Sequence, residues 1–159
     1  MADRVLPDLN ALSIQLVDDH PGHPYVADEL IPALQGDDTL CLFGCLPLRV
    51  QWVLEDLGFD AVVARNAISS LLQYPIEFVD SDSQTVLDAY EISAAKNYEI
   101  SAAKNHDVYD CFYIALARQA EVDRIVRTDR DFAALCEGEP FAYANPVPES
   151  VLEEFHTVD

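Results

Sequence analysis

Lysine is nearly absent from this chain. Only Lys96 and Lys104 occur, beside seven arginines and 29 acids, for a formal net charge of −20. Such a balance ordinarily argues against nucleic acid, which is gripped through cationic contacts to phosphate. At molar salt the same composition has another meaning. The Debye length falls to about 3 Å, self-repulsion is weak, and dense carboxylates keep a protein hydrated. The charge therefore speaks of habitat, a halophile's cytosol, and leaves RNA open as a partner.

Long apolar runs are missing too. None approaches the roughly 20 residues of a membrane helix. The N-terminal MADRVLPDLN lacks the charged and apolar regions of a signal peptide, so a cytoplasmic protein without membrane contact is expected. The four cysteines, Cys41, Cys45, Cys111 and Cys136, include no CxxC pair and are expected as buried reduced thiols. What is present is ordinary: 159 residues, 50% hydrophobic, enough for one domain with a real core.

Strand and helix signals alternate along the chain. Strands are predicted at 4–9, 39–43, 76–79, 124–128 and 140–143, although Pro7 would weaken a central strand. Helices are predicted at 10–17, 24–34, 46–57, 66–73, from 82 or 83 through the repeat described below, at 108–121 and at 129–135. Gly36 and Gly58 stand where the second and third helices should stop. This order implies a parallel sheet of four to five strands between two helical layers, an α/β/α sandwich over 1–144. Residues 145–159 read as an acidic terminal tail or helix.

Chemistry in an open α/β sheet collects beyond the carboxyl ends of the strands. Asp8 ends the first strand, Asp129 follows the fourth, and Asp110 lies in the first turn of the apolar helix. Each also has a purely structural explanation: turn residue, helix cap, or partner of the helix dipole. Three carboxylates meeting in one groove would nevertheless repel one another unless a hard cation joined them.

Three stretches sharpen this. Asp8-x-Asn10 follows the first strand, "VYDCFYIALA" spans Val108 to Ala117, and "RIVRTDRDF" spans Arg124 to Phe132. "VDDHPGHPYV" (17–26) adds a turn with His20 and His23. In this order they resemble the PIN domain, the nuclease fold of VapC-type toxins. The resemblance implies an endoribonuclease dependent on Mg²⁺ or Mn²⁺, with Asp8, Asp110 and Asp129 as catalytic metal ligands and Asp131 as an auxiliary acid. Asn10 and Thr128 would support them. It also implies an RNA substrate, a small antitoxin partner and a homodimer. One family element departs: a glutamate usually opens the helix after the second strand, where this chain has Arg49-Val50-Gln51-Trp52-Val53-Leu54. Arg49 can be neither metal ligand nor base. It becomes, with His20 and His23, a candidate RNA contact.

The same departure supports an alternative, a PIN-like binding or scaffold protein that no longer cuts. A phosphoacceptor (receiver-like) domain fits less well: Asp18-Asp19 follows a helix, and neither lysine follows a strand.

Just upstream of Asp110 the octet Tyr90–Asn97 is repeated at once as Tyr98–Asn105. A period of eight matches no common solenoid unit. An α-helix can absorb it at about 12 Å of extra length, either projecting past the body or with one copy looped out. Deleting residues 98–105 is expected to leave activity equal or better.

Overall fold

The computed structural model describes residues 2–99 and 108–156. Five parallel strands form one sheet: β1 (Arg4–Pro7), β2 (Thr39–Phe43), β3 (Ile76–Val79), β4 (Arg124–Val126) and β5 (Ala142–Ala144). Their order is β3-β2-β1-β4-β5, so β1 is central. Pro7, which lacks an N–H, is accommodated because it is the last residue of β1, opposite Val126. The next residue, Asp8, restores the ladder by donating its N–H to the Val126 carbonyl at 2.9 Å.

Alternation along the strands divides the core in two. Val5, Leu40, Leu42 and Val126 face helices α1 (Leu9–Gln15), α2 (His23–Leu34), α3 (Leu46–Asp56) and α4 (Ala61–Leu71). Leu6, Cys41, Val79 and Ile125 face α5 (Ser83–Glu99), α6 (Val108–Gln119) and α7 (Phe132–Leu135). α8 (Glu149–His156) follows β5, and Val147, Val151 and Leu152 of that region pack on the first cluster. The sandwich is thus the predicted one. No helix among the described residues is long and apolar enough to cross a membrane.

β2 and β3 fall at their predicted bounds. Gly36 and Gly58 take φ of 88° and 95° directly after α2 and α3, the left-handed geometry that ends a helix. α4 begins five residues earlier than predicted, because the Asp60 carboxylate caps it by accepting the Val62 N–H at 2.8 Å. α7 is shorter than predicted, and β5 begins two residues later and ends one residue later than predicted. Three cysteines are buried free thiols as expected, whereas Cys45, just ahead of α3, is exposed.

The first octet, Tyr90–Asn97, lies within α5. Most of the second copy lies outside the described residues, and with it the choice between a projecting and a looped-out copy. The first copy is built into the body. Lys96 Nζ donates to the Leu135 carbonyl at 2.5 Å and sits 2.9 Å from Glu139 Oε1, which Arg118 also contacts at 2.5 Å. The Glu139 side chain is only 4% exposed. Burial acts to raise its pKa, but hydrogen bonds from Arg118 and Lys96 outweigh this and hold it low. Lys96→Met is therefore expected to cost about 2 kcal/mol, read as a fall of roughly 5 °C in thermal melting.

Candidate active site

β1 and β4 are neighbours, so the residues that follow them leave the sheet side by side. Asp8 does two things there. Its Oδ1 accepts the Ala11 N–H at 2.8 Å and starts α1, while its Oδ2 lies 3.2 Å from Arg127 Nε. Arg127 follows β4 and is fixed by its own N–H, which donates to the Ala144 carbonyl at 3.1 Å. Its Nη2 lies 3.0 Å from Asp110 Oδ1 and 3.7 Å from Asp129 Oδ2. Asp110 comes from the first turn of α6. Asp129 is braced by the Asp131 amide, which donates to its Oδ1 at 2.9 Å, and by the Tyr143 hydroxyl, which donates to its carbonyl. Three carboxylates from three elements converge, and they converge on a guanidinium.

That guanidinium is packed as well as paired. It lies 4.1 Å over the Phe132 ring and 5.7 Å from the Tyr113 ring. The Arg127 side chain is 11% exposed, Asp8 8%, Asp110 16% and Asp129 41%, so the cluster opens to solvent on the Asp129 side. Burial acts to lower the Arg127 pKa, but Asp8 and Asp110 outweigh it and keep the charge.

Burial pushes the Asp8 carboxyl up to about 6, against the pull of Arg127 and the Ala11 amide. An acid whose folded pKa lies above its unfolded value binds protons preferentially when folded. Its charge costs nothing below the unfolded value near 3.8, and the full cost is present above about 6. Asp8 should therefore make stability fall as pH rises between those limits, by on the order of 3 kcal/mol. The measurement is chemical denaturation at both ends of the window. Asp8→Asn should flatten the drop, and an equal slope in both proteins would exclude Asp8 as its source.

Residues 6–138 match the PIN domain family. The chain belongs to the PIN domain family. Among curated proteins no sequence matches it. Among the solved structures that share the fold are two toxin-family proteins. One is the toxin VapC20 of Mycobacterium tuberculosis, described as cleaving the sarcin-ricin loop. It has a TM-score of 0.60 at 14% identity, covering 91% of this chain and 99% of that one. The other is VapBC2 of Rickettsia felis, bound to a promoter DNA fragment. It has a TM-score of 0.65 at 10% identity, covering 89% and 97%.

In this PIN domain the remaining candidates are arranged as follows. Asn10 is exposed and Thr128 half-buried; both line a cavity of about 130 Å³ beside the cluster, with Ser13, Val17 and His20. Asp131 braces Asp129 with its backbone amide, and the residue is exposed. His20 is buried; its Nδ1 accepts the Gly22 N–H at 2.8 Å, and burial, then His23, lowers its pKa. His23 opens α2 with Nδ1 3.2 Å from the Ile14 carbonyl. Arg49, on α3, donates from Nη1 to the Tyr109 hydroxyl at 2.5 Å and covers that ring at 5.0 Å. It thus reaches the start of α6, one residue from Asp110.

Sequence reasoning missed Arg127. It was visible as a cation two residues beyond Ile125. Strand alternation points it at the same layer, where α6 brings Asp110. Its presence changes what the site can hold. Carboxylate oxygens suit Mg²⁺ or Mn²⁺, but the place between these three is taken. Among the described residues no three acid, histidine or cysteine side chains are grouped to hold an ion by themselves. As folded, the cluster does not fit a divalent cation.

Proposed function

We propose that this PIN domain is the ribonuclease of a toxin–antitoxin pair, cutting RNA phosphodiester bonds at Asp8, Asp110 and Asp129. The observation that carries this is the convergence of those carboxylates at the open end of β1 and β4. The sarcin-ricin-loop cleavage described for VapC20 and the VapB–VapC pairing of the Rickettsia protein support it by likeness of fold. Asp129 is the most open of the three and meets the substrate first. Asp131 flanks it as an auxiliary acid, and Asn10 and Thr128 support the rim. Arg49, His20 and His23 are the proposed RNA contacts.

An antitoxin and a second copy of the chain are the proposed protein partners. Leu48, Trp52, Val62 and Val63 on α3 and α4 are large, apolar and exposed, as an interface requires. A saline cytoplasm is the setting the acidic composition supports. Mg²⁺ or Mn²⁺ is the cofactor class implied by the family, and the free protein has Arg127 in its place.

The test is cleavage of RNA in molar KCl, with and without Mn²⁺. Cleavage by the wild-type chain that disappears in Asp110→Asn and Asp129→Asn supports the assignment. Cleavage that survives both removes these residues from the chemistry.

Arg127 and Arg49 together favour one alternative, a PIN-like protein that binds without cutting. Its signature is retained partner binding and no cleavage with or without Mn²⁺.

A further inference from the structure

We infer that Arg127 serves as the built-in cation of this site, so that the RNA-free protein binds no divalent ion among Asp8, Asp110 and Asp129. This rests on the same cluster as the proposed ribonuclease site, but not on its activity. The guanidinium touches all three carboxylates, at 3.2, 3.0 and 3.7 Å. It is held there from behind by Phe132 and Tyr113 and at its backbone by Ala144. A side chain fixed at both ends and largely buried is not a surface arginine that happens to swing inward.

Charge points the same way. Three carboxylates packed together carry strong mutual repulsion, and the first cation to enter relieves most of it. Here that cation is covalently part of the chain, so it is present at any ion concentration. A dication entering beside it would meet a guanidinium within a few ångströms and would compete with its ion pairs to Asp8 and Asp110. Ion binding therefore requires removing or displacing the side chain. Planar and permanently charged, arginine cannot vacate the role by losing a proton. The arrangement also explains the cluster's stability without a ligand, since each acid already has an oppositely charged neighbour.

The experiment is a Mn²⁺ titration of the RNA-free protein in molar KCl. Free Mn²⁺ is followed by electron paramagnetic resonance, and melting temperature is measured alongside. The chains are wild type, Asp110→Asn, Arg127→Thr, Arg127→Gln and Arg127→Thr with Asp110→Asn. The wild type should take up no stoichiometric Mn²⁺ and show no shift in melting. Arg127→Thr should gain one Mn²⁺ site, bound at least tenfold more tightly than any wild-type uptake. Its melting temperature should rise by about 5 °C or more at 100-fold excess over Kd. Adding Asp110→Asn should abolish the gain.

Arg127→Gln keeps the length and stacking surface without the charge. It serves as the folded comparison if the threonine variant is too unstable. A wild-type Mn²⁺ site removed by Asp110→Asn would overturn the inference while leaving the ribonuclease proposal intact. A folded Arg127 variant that gains no ion would overturn it too. No RNA is present, so failure to cleave RNA cannot be mistaken for either result.

Discussion

Asp110→Asn is expected to lower RNA cleavage by about 100-fold or more while leaving the melting temperature close to that of the wild type. The two halves of this expectation have separate causes. Asp110 stands at the entrance of α6, partly open to solvent, with an oxygen 3.0 Å from Arg127 Nη2. Any chemistry at the cluster that needs its negative charge loses it, since asparagine keeps the shape and changes only charge and hydrogen bonding. Stability responds differently. Three carboxylates and one guanidinium leave the cluster with excess negative charge. Removing one acid relieves repulsion while it removes an attraction, and the two partly cancel. Single-turnover cleavage with thermal melting on the same samples reads both. A large fall in melting temperature would mean that Asp110 is a structural ion-pair partner first.

Arg127→Ala should have the reverse profile, with a large effect on stability. Removing one partner of a buried charge pair typically costs about 3–5 kcal/mol, because the other charge stays behind without compensation. Here Asp8 is the group stranded most deeply, and Phe132 and Tyr113 lose the planar group stacked on them. A fall on the order of 10 °C in melting temperature is expected for a chain of this size. The sign with pH follows from Asp8. Arg127 lowers its pKa in the wild type, so without Arg127 the folded value rises further above the unfolded one. The deficit should be large at pH 8 and should shrink as pH falls through that raised value, where Asp8 takes up a proton. Melting curves of both proteins across this range test it. A deficit independent of pH would assign the loss to packing alone.

Much of this architecture was legible in the residues. β2 is a short apolar run after Asp37-Asp38, and Gly36 and Gly58 mark helix ends that only a left-handed residue makes easily. The three acids could be assigned to one groove because strand ends and a helix start are visible in sequence. The start of α4 was not, because Val62 and Val63 face solvent and blur the apolar stripe, and the decisive feature is the Asp60 cap. Arg127 was passed over for a related reason. It lies in a stretch read as strand, where a charged residue at a strand end is assumed to face water. Alternation with Ile125 places it on the α6 layer, but the Asp110 it meets there is supplied by another element. The fate of the repeat was half legible: identity of the two copies argued against an architecture, but nothing local announced that Lys96 would be tied to Glu139.

The two oxygens of Asp8 have a consequence for how such a domain ages. One starts α1 and the other belongs to the acidic cluster. A lineage that stopped cutting RNA would be free to lose Asp110 or Asp129, yet position 8 would still need a side chain that accepts the Ala11 N–H. An acceptor after the first strand would then outlive the proposed activity, kept for its helix. Among relatives of this chain, an acceptor there would not by itself distinguish a nuclease from a binding protein; under the proposed assignment, the acids of the α6 entrance and the β4 loop would.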